Sequence, residues 1–217
     1  MNELDKAYET ADMLKALDLP ISKAQLENIE RLEKENGKVH REDLSFYFFE
    51  KCFANYTKRI INIRQAKIRG EVIVAKPVLL LAIIDGISND LFEDNKFLLT
   101  DWLESCYVML MQQYMKSSQF DKPTDISNPF WHLQSDGFWH LQFSEEPQEG
   151  TTPSKRWLKE KVTFGCFDDD LWVLLQNKVW RQKLRDYIVE HKLTDDSWLG
   201  KIAAEGLGAI AALLFAA

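Results

Sequence analysis

Residues 76–87 read Lys76-Pro77-Val78-Leu79-Leu80-Leu81-Ala82-Ile83-Ile84-Asp85-Gly86-Ile87. Pro77 suits a first helical turn, where its fixed φ is already helical and its missing N–H would have no helical partner. Beyond it the side chains are apolar almost all round, with no polar stripe to face water. A helix of that kind must be enclosed by other elements. The segment therefore predicts a buried central helix and, around it, a mainly α domain.

Working outward, the chain supplies the elements to enclose it. On the N-terminal side, Leu44, Phe46, Tyr47, Phe49, Phe53 and Tyr56 form an aromatic helical face that leads into Ile60, Ile61 and Ile63. Arg69-Gly70-Glu71 then reads as a turn. Further upstream, Leu4, Ala7, Tyr8, Ala11, Leu14 and Leu17 recur at helical spacing until Asp18-Leu19-Pro20. Ser22 can cap a second helix carrying Leu26, Ile29 and Leu32, so residues 1–40 read as a helical hairpin.

On the C-terminal side, Phe97-Leu98-Leu99 reads as a short strand and Thr100 as the cap of an amphipathic helix through Tyr114. Residues 116–128 are polar and read as a loop, followed by a strand over Phe138–Phe143 and an exposed loop over Glu145–Pro153. Ser154 can cap a short helix with Trp157 and Leu158, and Val162-Thr163-Phe164 resembles another strand. Asp168-Asp169-Asp170 places negative charge at the start of a helix, as the helix dipole favours. A last core helix carries Trp180, Leu184, Tyr187 and Ile188 and ends near Lys192. The expected fold is mainly α (α+β): a hairpin over 1–40, a helical domain with a few short strands over 41–195, and an apolar C-terminal tail helix over 196–217. Within that tail, Gly206–Ala217 is uncharged but shorter than the roughly 20 residues of a membrane span. It is expected to dock on the domain or on another subunit, and no membrane association is expected.

The 217 residues carry a net charge of -7. The basic residues are nonetheless concentrated: Lys51, Lys58, Arg59, Arg64, Lys67, Arg69 and Lys76 face only Glu71 across 51–76, which leaves the remainder strongly acidic. One basic band on an acidic protein suits local phosphate contact with little indiscriminate binding. Charge alone fits a solvated helix face equally well. Cys52, Cys106 and Cys166 lie far apart with no Cys-x-x-Cys spacing, so neither a disulfide framework nor a structural zinc is expected. The N-terminus lacks an apolar signal core, and a cytoplasmic location is expected.

Candidate chemistry is sparse. His132, Asp136 and His140 are spaced by four and could bind a metal from one helix face, as a metal-dependent nuclease would require. Gly137 and the following Phe138-Trp139 favour a turn into a strand instead, which would part them. The Asp168-Asp169-Asp170 run reads as helix-start acids rather than a magnesium site. Gly-rich phosphate loops and nucleophile–base arrangements are absent, so no cofactor and no catalytic residue are expected. The segment Asn128-Pro129-Phe130-Trp131-His132-Leu133-Gln134-Ser135-Asp136-Gly137-Phe138-Trp139 stands out. Packing alone can account for its aromatics as a clasp around a turn at Gly137.

Three elements occur in order: Lys76-Pro77 opening the apolar helix, Asn128–Leu133 followed by Asp136-Gly137-Phe138-Trp139, and Phe167-Asp168-Asp169-Asp170-Leu171-Trp172-Val173-Leu174-Leu175. Together they resemble the sulfur-binding domain that precedes HNH nucleases in phosphorothioate-dependent restriction proteins, over roughly residues 44–193. The resemblance implies a DNA-binding module with a shallow apolar pocket for the sulfur of a modified backbone. Pro129 would be the pocket wall, with Phe130 behind it, His132 near the rim, and Asn128 where an aromatic residue would be expected. Lys76, Arg69 and Arg64 would contact phosphates. The physics is coherent, because sulfur is larger, more polarizable and less strongly hydrated than oxygen, so an apolar pocket penalises it less. The nuclease module is absent from the sequence, so cleavage would fall to a separate nuclease or effector. The alternative reading is an assembly protein working through its hairpin, or a homo-oligomer formed through its tail.

Overall fold

The structure is a computed structural model that describes residues 2–68, 71–115, 124–145, 147 and 154–194. Its centre is a helix over Ala75–Ser88, in which every residue from Ala75 to Ile87 is buried except Lys76 and Asp85. Leu79, Leu81, Ala82 and Ile83 have no exposed surface at all. Both exceptions are ion-paired: Lys76 Nζ lies 2.6 Å from Asp136, and Arg185 Nε lies 2.7 Å from Asp85. The apolar reading of this segment thus translates directly into position.

In chain order the α-helices among the described residues are α1 (Glu3–Ala16), α2 (Lys23–Glu35), α3 (Glu42–Ile61), the central α4 (Ala75–Ser88), α5 (Asp101–Tyr114), α6 (Ser127–His132), α7 (Lys155–Lys161), α8 (Asp169–Gln176) and α9 (Lys178–Ile188). A 3-10 turn over Leu133–Asp136 extends α6, and a π turn over Val189–Leu193 extends α9. Strands β1 (Lys67–Ile68) and β2 (Glu71–Val72) form one antiparallel pair, and β3 (Trp139–Phe143) and β4 (Val162–Phe167) another. Helices α5, α6, α8 and α9 all pack against α4. The fold is mainly α with few short strands, preceded by a helical hairpin; the apolar tail lies outside the described residues. No helix among the described residues is long and apolar enough to cross a membrane.

Local chemistry fixes most boundaries. Ser22, Thr100 and Ser154 each accept a hydrogen bond from the backbone amide three residues on, capping α2, α5 and α7,. The hairpin is seated rather than tethered. Ala11, Ile21, Leu26 and Ile29 join the same buried cluster as Leu44 and Phe48 of α3. Glu33, only 2% exposed, accepts hydrogen bonds from the Tyr8 hydroxyl and the Arg41 amide and meets His40 Nδ1 at 2.6 Å.

Four local expectations are corrected. Phe97–Leu99 is no strand but a single bridge, Phe97 exchanging backbone hydrogen bonds with Gly165. The polar loop ends two residues early because α6 begins at Ser127, whose amide donates to Asp125 Oδ1. Lys67–Ile68 and Glu71–Val72 pair as short antiparallel strands, where only a turn over Arg69-Gly70-Glu71 was expected; residues 69–70 lie outside the described residues. The strand at Val162 continues to Phe167.

Trp139 anchors the β3–β4 ladder to the core. Trp139 is fully buried, donates its indole N–H to the Phe130 carbonyl at 2.9 Å and packs on Phe97, Phe130 and Phe167. Its ring lies flush on Gly165 of the neighbouring strand, where an added Cβ would come within 2.2 Å of the indole. Gly165→Ala is therefore expected to destabilise the protein by about 3 kcal/mol, because a rigid, fully enclosed indole cannot move aside. Urea denaturation followed by tryptophan fluorescence measures this directly.

Candidate nucleic-acid interface

The candidate surface is organised by the sharp reversal at Gly137. That residue adopts φ 79°, a left-handed conformation that costs glycine little,. The reversal ends the 3-10 turn and sends the chain into β3, leaving Asp136 pointing back into the protein. Its carboxylate is 4% exposed. One oxygen accepts the Arg64 backbone N–H at 3.0 Å, and the other accepts from Lys76 Nζ at 2.6 Å. Lys76 also donates to the Ser135 hydroxyl at 3.2 Å, and that hydroxyl donates to the His132 carbonyl. One carboxylate thus ties together the link after α3, the first turn of α4 and the end of α6. Lys192, from the π turn after α9, donates to the Ile61 carbonyl at 3.0 Å. Burial lowers the pKa of its ammonium below the ordinary lysine value, although the nearby Asp136 opposes that,.

The residues singled out from sequence fall unevenly on this surface. Lys76 belongs to the knot with its side chain 12% exposed. Arg64 gives its backbone to the knot, while its exposed side chain makes no ion pair among the described residues. Asn128 and His132 lie one turn apart on α6 and are both exposed. Pro129 is buried, on the same inward face as Leu133 one turn later. Arg69 lies outside the described residues. The structure therefore brings Lys76, Arg64 and the turn following His132 together, and it directs the Pro129 ring to the core.

A second ionic cluster was not legible. Asp168 precedes α8 as a capping acid should, yet its side chain makes no cap hydrogen bond. Instead it accepts from Arg59 Nη1 at 2.6 Å and from the Tyr56 hydroxyl at 3.1 Å, and it meets His140 Nε2 at 2.6 Å. Burial alone would raise the Asp168 pKa, but the hydrogen bonds from His140, Arg59 and Tyr56 outweigh it and hold it below the ordinary carboxylate value. The expectation that Asp168 serves as a simple helix-start acid is corrected accordingly. With His140 committed to Asp168 and Asp136 to Lys76, the His132, Asp136 and His140 set does not converge. Among the described residues no group of three or more His, Cys, Asp or Glu could hold a metal ion.

These features define a small α-helical module in which Lys58 and Arg59 stand on the last turn of α3, Arg64 in the link after it and Lys76 on the first turn of α4. The particular family follows from comparison with known proteins. The model of the ScoMcrA-like, DNA sulfur-binding domain family matches residues 54–199, and the chain belongs to that family. Among solved structures, the sulfur binding domain of ScoMcrA complexed with phosphorothioated DNA is similar at 17% identity and a TM-score of 0.49, over 63% of this chain and 86% of that one. The sulfur binding domain of SprMcrA complexed with phosphorothioated DNA is similar at 16% identity and a TM-score of 0.49, over 65% and 86%. No curated protein matches.

Two outcomes test this arrangement. Asp136→Ala leaves the Lys76 ammonium nearly buried and unpaired, and is expected to cost about 3 kcal/mol in denaturant unfolding. For Asp168, a pKa lowered in the folded state gives stability that is fully present above the unfolded value of about 3.9 and is lost as pH falls through the folded value. Unfolding free energy should therefore drop as pH is taken below about 4, and the drop should be shallower in Asp168→Asn than in the parent.

Proposed function

We propose that the chain is a DNA-binding module that recognises a phosphorothioate-modified backbone, performs no catalytic step of its own and presents the bound DNA to a separate nuclease or other effector. The observation that carries this reading is the span of the family match, residues 54–199, which contains the whole Asp136 knot and its cations. Under this proposal Lys76 spends two of its three donors on Asp136 and Ser135 and offers the third to a phosphate oxygen,. Arg64 supplies the uncommitted positive charge beside it, and Arg69 a further phosphate contact. Asn128 and His132 line the exposed edge. Pro129, being buried, acts as the floor beneath that edge rather than as an open wall. A cytoplasmic location is part of the same proposal.

The division of labour has a physical basis. Cations bind an ionised phosphate whether it carries sulfur or oxygen, so they supply affinity and salt dependence. Discrimination has to come from the lower hydration cost of sulfur against an apolar surface. Fluorescence anisotropy on two duplexes of one sequence, with and without phosphorothioate and at one salt concentration, tests both parts. The modified duplex should bind about tenfold tighter, an increment of roughly 1.4 kcal/mol. Pro129→Ala should narrow that ratio, whereas Lys76→Ala should weaken both duplexes alike. Negligible binding of either duplex would refute the reading, and equal firm binding of both would leave DNA binding without sulfur recognition.

A further inference from the structure

We infer that Arg59 is a further phosphate contact, set in place by Asp168 as a positioning residue with His140 beside it. The inference rests on the DNA-binding reading above. Its starting point is a local anomaly. Asp168 occupies the position before α8 from which an aspartate ordinarily caps the free amides of the first turn, yet its carboxylate is turned away from them to Arg59, Tyr56 and His140. Giving up a cap means that the tertiary contact is the stronger demand on this side chain.

What the contact achieves is to hold a guanidinium still at the surface. Arg59 is gripped at Nη1 by Asp168 and lies over the Tyr56 ring, 5.5 Å from its centroid. Tyr56 is buried and cannot shift. The Arg59 side chain is nevertheless 37% exposed and the His140 side chain 54% exposed. Among the described residues only one guanidinium nitrogen is engaged, which leaves the others to donate to an anion in the planar fork that suits phosphate,.

Its place is also right. Arg59 lies on the last turn of α3, with exposed Lys58 before it and exposed Arg64 after it. The two ionic clusters are joined through Phe138, two residues beyond Asp136. The Phe138 carbonyl accepts the Asp168 amide at 3.1 Å, and the Phe138 ring meets that of Tyr56. Asp169 and Asp170 on α8 flank the carboxylate and add negative charge, so only a guanidinium held outward from them would reach a phosphate.

The test is a salt titration of binding to both duplexes, from about 50 to about 200 mM. Arg59→Ala is expected to weaken both duplexes about fivefold, to leave their ratio unchanged, and to reduce the slope of log affinity against log salt by about 0.9. Arg59→Lys should keep the slope while binding more weakly than the parent, since it retains the charge and loses the fork. Asp168→Asn gives an opposed sign: removing a negative charge favours DNA on simple electrostatics, whereas loss of positioning weakens binding about threefold. Melting curves confirm that each variant is folded; should Arg59→Ala unfold, Arg59→Gln carries the same slope comparison. Arg59 variants with the parent slope, or tighter binding by Asp168→Asn, overturn the inference. A parent protein that binds neither duplex refutes the DNA-binding reading itself.

Discussion

The ion pair between Lys76 and Asp136 is the constraint on which the rest of this end of the molecule depends. A helix as apolar as α4 must be enclosed, and enclosure brings its two polar side chains into a region where an unpaired charge is costly. Lys76 is doubly awkward, since it also places a positive charge in the first turn, where the helix dipole is itself positive,. The Asp136 carboxylate answers both problems at once, pairing with the ammonium and lying beside the helix start. Asp85 and Arg185 do the equivalent work near the other end and join α4 to α9. Burial of one helix thereby dictates where three other segments must go.

A consequence is that the cations here are rigid and few. In a chain of net charge -7, long-range attraction for DNA is weak, so binding must come from contacts made at short range,. Committing Lys76 and Arg59 to carboxylates lowers the local positive potential further, yet it removes the entropy that a free side chain would lose on meeting a phosphate. That trade favours a binder that waits for a matching backbone over one that coats any duplex. It also explains why the basic band of the sequence does not behave as one uniform face: Lys51 pairs with Asp18, Arg59 with Asp168 and Lys76 with Asp136, while the Lys58 and Arg64 side chains carry no ion pair among the described residues.

The parts legible from the sequence are those governed by neighbours along the chain. The burial of α4, the caps at Ser22, Thr100 and Ser154, and the turn at Gly137 all follow from residue type and local spacing. The parts that were not legible depend on partners far away. Asp136 meets Lys76 across 60 residues and Asp168 meets Arg59 across 109, and nothing within either segment indicates the other. Helix α6 was hidden for a different reason. It is too short for a periodic pattern, and a proline gives no helix signal until its place in the first turn is known,. The bridge at Phe97 has the look of a strand in its composition and lacks only a second paired residue.

Pro129 shows how a local and a functional explanation separate. In the first turn of α6 a proline needs no further justification, because the amide it lacks would have had no partner within the helix. Its inward face is likewise explained by packing beside Phe130 and Leu133. Sulfur recognition therefore cannot be read from the presence of the proline. Under the proposed reading it resides in what the proline does to the surface above it. With its ring turned to the core, Pro129 leaves the surface between Asn128 and His132 a backbone position without an N–H, and under the proposed reading such a floor cannot replace the hydration an oxygen gives up, which penalises oxygen more than sulfur,. Under the proposal, the polar residues at the edge would set orientation, the buried proline the penalty, and the cations held by Asp136 and Asp168 the affinity, without regard to which atom the phosphate carries.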